Sequence, residues 1–286
     1  MRTIVLGLAL VCLQIWTSAA SELTGTLKRI DDTGRMNLGY REAEPPMSFR
    51  DQNGNPVGYS IDLCDHIASA VRQTLGRTDI TVNYVPVTAE NRFAAIESAD
   101  IDILCGATTK TLTRSERVGF TQLTFATGAS LLSRDDNRVA NVLGLKGKRV
   151  AVVTGTTTIV ALEGALSSML VDAEVVEVST ALDGMIMLDK GEVDAFSSDQ
   201  VVLIGQVVAR VAGGQYYLSD EMFSFEPFAL ALTRGDMDFQ LVADRALSQL
   251  NRSGQIGTIY RKWFGRFADN PPEMLKALYR LNATPE

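Results

Sequence analysis

Three arginines, three threonines and one aspartate could do chemistry together if the fold brought them to one place. Arg41 follows the apolar stretch Met36 to Tyr40, Arg92 opens a short helical pattern, and Thr108-Thr109 follow Ile101 to Cys105. Arg114 comes five residues after Thr109, Gly155-Thr156-Thr157 lead into a helical pattern, and Asp199 follows the strand-like Val193 to Phe196. A guanidinium grips a carboxylate through two parallel hydrogen bonds. Free N–H groups at a helix start add a seat for negative charge, to which Thr109, Thr156 and Thr157 would contribute hydroxyls. Asp199 would take an ammonium group. The set suits an α-amino acid, held by both ends. Three arginines against one aspartate leave a positive surplus, which favours a ligand with a further acidic group. The blander reading of each residue is surface solvation for the arginines and helix capping for the threonines.

The elements that must position these residues alternate. Ile61, Cys64, Ile67, Ala68 and Val71 recur at helical spacing up to a stop at Gly76. Ile80 to Val87 reads as a strand, Glu90 to Glu97 as a short helix and Ile101 to Cys105 as a strand. The same rhythm returns in Arg149 to Val153, the helix opened by Thr154 to Thr158, Ala173 to Val178, Ala181 to Lys190 and Val193 to Phe196. Alternation of this kind predicts parallel sheets covered by helices, here twice, hence two α/β lobes. Gly119 to Ser133 is extended, uncharged and long enough to cross between lobes, and Phe223 to Thr233 is a second such segment. Two crossing strands make a hinge, and the cleft beside it is where ligands bind in such folds. The expected division is lobe 1 from 21–125 plus 227–286 and lobe 2 from 126–226. Met47 and Phe49, after the Pro45-Pro46 turn, are expected either on the cleft wall or in the core, and Trp263 in the packing of the first lobe.

At 286 residues, with 46% apolar and 21% charged, the chain has material for such cores. Arg2, the apolar run Ile4 to Ile15 and the small residues Thr17 to Ala20 describe a secretory signal peptide, 1–20, cleaved near Ala20. The run is short for a membrane span. The mature protein is then expected to be soluble and outside the cytoplasm. The net charge of −7, more negative still without Arg2, repels nucleic acid and anionic lipid, so no nucleic-acid partner is expected. Cys64 and Cys105 could pair in an oxidising compartment or remain buried thiols. The single histidine, His66, has no metal-ligand neighbours in sequence, and no metal, cofactor or catalytic residue is expected.

Taken in order, the motifs have a familiar spacing. They are Gly39-Tyr40-Arg41-Glu42, Val57-Gly58-Tyr59-Ser60-Ile61-Asp62-Leu63, Val85 to Arg92, Cys105-Gly106-Ala107-Thr108-Thr109, Leu112 to Arg117, Leu145-Lys146-Gly147-Lys148, and Gly254-Gln255-Ile256 ahead of Ile259 to Phe264. From roughly Leu27 to Leu281 the chain resembles the periplasmic amino-acid substrate-binding proteins of ABC transporters, solute-binding protein family 3, and within them the glutamate/aspartate-type branch. The resemblance implies a two-lobed periplasmic-binding-protein-like fold of type II with two hinge strands. It implies a monomer that delivers a polar, acidic amino acid to a membrane permease. Arg114 matches the carboxylate-gripping arginine, Thr109 and Thr156 its helpers, and Asp199 the ammonium acceptor. Arg41 and Arg92 match positions used toward the ligand's acidic end. Ala89 and Ala107 depart from the serines common there, and Ala181 or Leu182 from a histidine. Each change removes a polar contact and opens space, so a larger or less polar amino acid also fits the pattern. Two other readings are a small-acid lyase on the same fold, which needs a general acid or base in the cleft such as Glu42 or Asp199, and a sensor module acting through a separate partner.

Overall fold

The computed structural model describes residues 22–210 and 215–286; the expected leader, 1–20, lies outside the described residues. Helix α1 (Gly25–Thr33) precedes strand β1 (Arg35–Tyr40), which runs into three short strands, β2 (Ala43–Glu44), β3 (Ser48–Arg50) and β4 (Pro56–Val57). Helix α2 (Tyr59–Leu75), β5 (Thr81–Pro86), α3 (Arg92–Glu97), β6 (Ile103–Cys105) and α4 (Leu112–Ser115) follow. Strands β7 (Gly119–Thr127) and β8 (Ala129–Arg134) come next. Then β9 (Arg149–Val153), α5 (Thr157–Ser168), β10 (Glu174–Val178), α6 (Ala181–Lys190), β11 (Ala195–Asp199), α7 (Gln200–Ala209) and β12 (Tyr216–Leu218) make up the second rhythm. Strand β13 (Glu226–Leu232) returns to the first sheet, and α8 (Met237–Arg252), α9 (Gln255–Phe264) and α10 (Glu273–Leu281) close the chain.

Two five-stranded sheets result, in the orders β5-β1-β6-β13-β7 and β10-β9-β11-β8-β12. Pairings of β1 with β5 and β6, and of β9 with β10 and β11, are parallel. The crossing strands are antiparallel to their neighbours: β13 to β6 and β7, and β8 to β11 and β12. So each sheet is mixed, where the sequence rhythm predicts parallel ones, because a strand that leaves a lobe and one that returns must run opposite ways.

The α2 stripe expected from spacing, Ile61, Cys64, Ile67, Ala68 and Val71, is buried, and Gly76 ends the helix in the left-handed conformation. Tyr59, Phe125 and Phe264 form an aromatic knot joining α2, β7 and α9. Cys64 and Cys105 are bonded, with sulfurs 2.11 Å apart, tying α2 to the end of β6. Met47 is buried in the main core, and Phe49 packs edge-on against Trp263, 5.8 Å between centroids. Met47 thus takes the core alternative, while Phe49 lines a second groove, between the Pro45-Pro46 turn and Gly205, Val208 and Ala209 of α7; neither lines the polar cavity between the lobes. Trp263 packs in the first lobe as expected, its indole N–H donating to Asp62 at 2.7 Å.

The hinge depends on one glycine. Gly128 separates β7 from β8, and a Cβ there would lie 2.3 Å from the Ser224 carbonyl oxygen of the returning segment. The two crossing segments can approach this closely only because Gly128 has no side chain. The lobes also touch across the cleft. Gln206 of α7 donates to the Ala43 carbonyl at 2.7 Å, and Arg92 donates to the Gly155 carbonyl at 3.1 Å. Gly205 of α7 lies so near Pro45 that a Cβ would come within 2.0 Å of the Pro45 carbonyl oxygen.

Candidate functional site

All seven residues selected from the sequence line one small cavity between the sheets: Arg41, Arg92, Thr109, Arg114, Thr156, Thr157 and Asp199. Each stands at a strand end or helix start. Arg41 follows β1, and its backbone is pinned by Ser48, whose hydroxyl accepts from the Arg41 N–H at 2.9 Å. Arg92 begins α3 and is 2% exposed. Arg114 sits on the one-turn helix α4, capped by the Thr111 hydroxyl. Thr156 is the N-cap of α5, and Asp199 ends β11 and starts α7.

Arg92 is buried and Arg114 half-buried, and both spend guanidinium donors on backbone carbonyls. Arg114 donates Nη1 to the Thr109 carbonyl at 2.8 Å, and neither it nor Arg92 makes a salt bridge among the described residues. Arg92 uses its two Nη groups on the Ala89 and Gly155 carbonyls. The Phe93 ring lies under both guanidiniums, 4.7 Å from Arg92 and 5.4 Å from Arg114, where its negative π face offers partial compensation. Burial first, then repulsion from Arg114 and Arg41, pulls the Arg92 guanidinium down to about 9. Burial likewise lowers Arg114, against the pull of Glu226 and Asp199. A cluster of cations that is easier to deprotonate than usual is a cluster that an anion would stabilise.

On the opposite wall, Asp199 keeps Oδ1 shut from solvent with no hydrogen-bond partner among the described residues. Its carboxyl titrates well above the ordinary carboxylate range, chiefly from burial, then from repulsion by Glu226 and Glu44, with Arg114 and Arg92 opposing. An unpaired buried carboxylate is expensive to keep and calls for a cation. Thr156 turns its hydroxyl back to the Val153 carbonyl at 2.7 Å, leaving the α5 N–H groups as its contribution to the cleft.

Two acidic residues that sequence reasoning passed over complete the site. Glu44 lines the cavity and pairs with Arg41 at 3.0 Å. Glu226, at the start of β13 and 2% exposed, accepts from Thr109 at 2.5 Å, Thr157 at 2.7 Å and Ser224 at 2.6 Å. The positive surplus expected from the sequence is therefore offset: Arg41, Arg92 and Arg114 stand against Glu44, Asp199 and Glu226. Glu44 lies two residues from Glu42 in the stretch after Arg41, and Glu226 lies within the crossing segment Phe223 to Thr233, grouped by sequence with an uncharged one. A lone carboxylate in an otherwise apolar crossing strand was the available signal.

Comparison with known proteins matches this chain over residues 36–266 to the bacterial extracellular solute-binding proteins, family 3. It is 32% identical over 86% of its length to the L-glutamate/L-aspartate-binding protein of Pseudomonas aeruginosa, covering 82% of that protein. It is 28% identical to the glutamate/aspartate import solute-binding protein of Escherichia coli, over 92% of this chain and 87% of that one. Among solved structures, an ancestral arginine-binding protein bound to glutamine superposes with a TM-score of 0.73 at 28% identity, over 81% of this chain and 98% of that one.

Proposed function

The chain belongs to the bacterial extracellular solute-binding proteins of family 3, and we propose that it is a periplasmic receptor for a polar L-amino acid, passing it to the permease of an ABC transporter. The observation that carries the ligand class is the pairing of Arg114 on one lobe with Asp199, its Oδ1 unpartnered, on the other. A zwitterion bridges such a pair: Arg114 takes the α-carboxylate, aided by the backbone at Thr156 and by the Thr109 and Thr157 hydroxyls once they turn from Glu226, while Asp199 takes the α-ammonium. Arg41 and Arg92 face the side-chain end. Because the two seats belong to different lobes, a bound amino acid stabilises the closed form over the open one, which the permease can then recognise. The names of the relatives support an amino-acid ligand. Among the described residues no helix is long and apolar enough to cross a membrane. We assign 1–20 to a leader cleaved near Ala20, 21–125 with 227–286 to the first lobe and 126–226 to the second. Binding without turnover is the activity that fits these groups, and the relatives' names are those of binding proteins.

A thermal-shift screen of the mature protein against the amino acids and small dicarboxylates tests this reading. At a hundredfold excess over Kd the cognate amino acid should raise the melting temperature by about 5–10 °C. Arg114→Ala should weaken binding by about a hundredfold or more, since it leaves a buried carboxylate unpaired, while the ligand-free protein melts normally. A screen in which no amino acid shifts the melt, or near-native affinity in the Arg114 variant, refutes the assignment.

A further inference from the structure

We propose that Glu44 selects the ligand's side chain, so that the receptor prefers an amino acid ending in a neutral carboxamide to one ending in a carboxylate; the inference rests on the amino-acid reading above. Arg41, Glu44 and Arg92 line the cavity together with the apolar Ala107 and Ala181. Arg41 is not free to meet an acidic side chain. It is already ion-paired to Glu44 at 3.0 Å, with only 7% and 12% of the two side chains exposed. The bare backbone at Gly106 makes room for this pair: a Cβ there would lie 3.1 Å from Arg41 Cγ and 3.8 Å from Glu44 Oε2.

What the pair leaves over decides the ligand. Glu44 Oε2 is buried with no hydrogen-bond partner among the described residues, and so is Arg92 Nε. The first is an acceptor and the second a donor. Buried polar groups of this kind are paired in native states, and leaving one unpaired is costly. A carboxamide offers one carbonyl oxygen and one NH2 in a plane, and so can satisfy both. A carboxylate offers only acceptors. It could take the Arg92 donor but would set a second negative charge against Glu44. An ω-ammonium group offers only donors and would leave Arg92 unpaired beside another cation.

Isothermal titration of the mature protein with glutamine, asparagine, glutamate, aspartate and lysine tests the inference. The better carboxamide should bind wild type about tenfold or more tighter than its own acid. Glu44→Ser should free Arg41 and turn the preference toward the acid. Glu44→Gln, which keeps the shape without the charge, should at least narrow the ratio, and a melt of each variant shows that it folds. Tighter binding of glutamate, aspartate or lysine by wild type overturns the inference alone, as does a ratio unmoved by both substitutions. Failure of every amino acid to bind overturns it together with the receptor reading.

Discussion

Asp199 must be ionised to receive an ammonium group, yet it is held where ionisation is hard, by burial and by Glu226 and Glu44. That conflict gives opposite pH dependences for stability and for binding. Its carboxyl has a higher pKa folded than unfolded, so the ligand-free fold binds a proton more tightly than the unfolded chain. The ligand-free protein should therefore gain stability as pH falls through the raised pKa, until the unfolded carboxyl protonates near its ordinary value of about 4. Binding of a zwitterion should expel that proton, so affinity should fall with pH over the same range, by up to about tenfold per unit. Melts and titrations between mild alkali and mild acid would show both slopes, and Asp199→Asn should flatten both; a parallel rise in affinity at low pH would contradict the role given to Asp199. The seven residues first selected were legible because each stands at an element boundary, where turn residues and a change of period mark the place. Glu44, Glu226 and Phe93 were not, because their roles depend on which strand lies beside which, and no local pattern records that.

Gly205 illustrates how an element can control closure without touching ligand. Helix α7 carries it against the Pro45 carbonyl of the other lobe, with Gln206 hydrogen-bonded to Ala43 beside it. Any side chain at 205 must push the lobes apart. Gly205→Ala should weaken ligand binding by about tenfold or more, while the melting temperature of the ligand-free protein stays level or rises, since alanine is the better helix former by about 1 kcal/mol. A titration paired with a melt separates the two, and unaltered affinity would mean the contact is not part of the binding form. The helices and strands with a clear period, such as α2, β9 and α6, fall close to where the sequence puts them. The two- and three-residue strands β2 to β4 were read as loop and turn, because so short a strand has no alternation to detect. The mixed sheets were missed for a different reason: pairing direction is decided by the crossing strands, through contacts between residues about a hundred positions apart, such as Thr127 and Glu226.

Across the whole molecule, Glu226 adds to the contacts that join the lobes across the cleft, beside those of Gln206 with Ala43 and of Arg92 with Gly155. One of its oxygens accepts from Thr109, beside the first sheet, and from Thr157, at the start of α5 on the second. Hydrogen bonds to a charged group contribute about 1.5–3 kcal/mol each, enough to move an open–closed equilibrium more than tenfold. Glu226→Ala should give the ligand-free protein a larger radius of gyration in small-angle scattering, with the difference vanishing at saturating ligand; an unchanged empty state would show that the bridge does not hold the lobes. The bridge also bears on the fidelity of the signal. A receptor whose own carboxylate can draw the lobes together when empty sends its downstream partner a background of false positives. The useful message is then the contrast between loaded and empty forms rather than closure itself, and each gain in latch strength narrows that contrast.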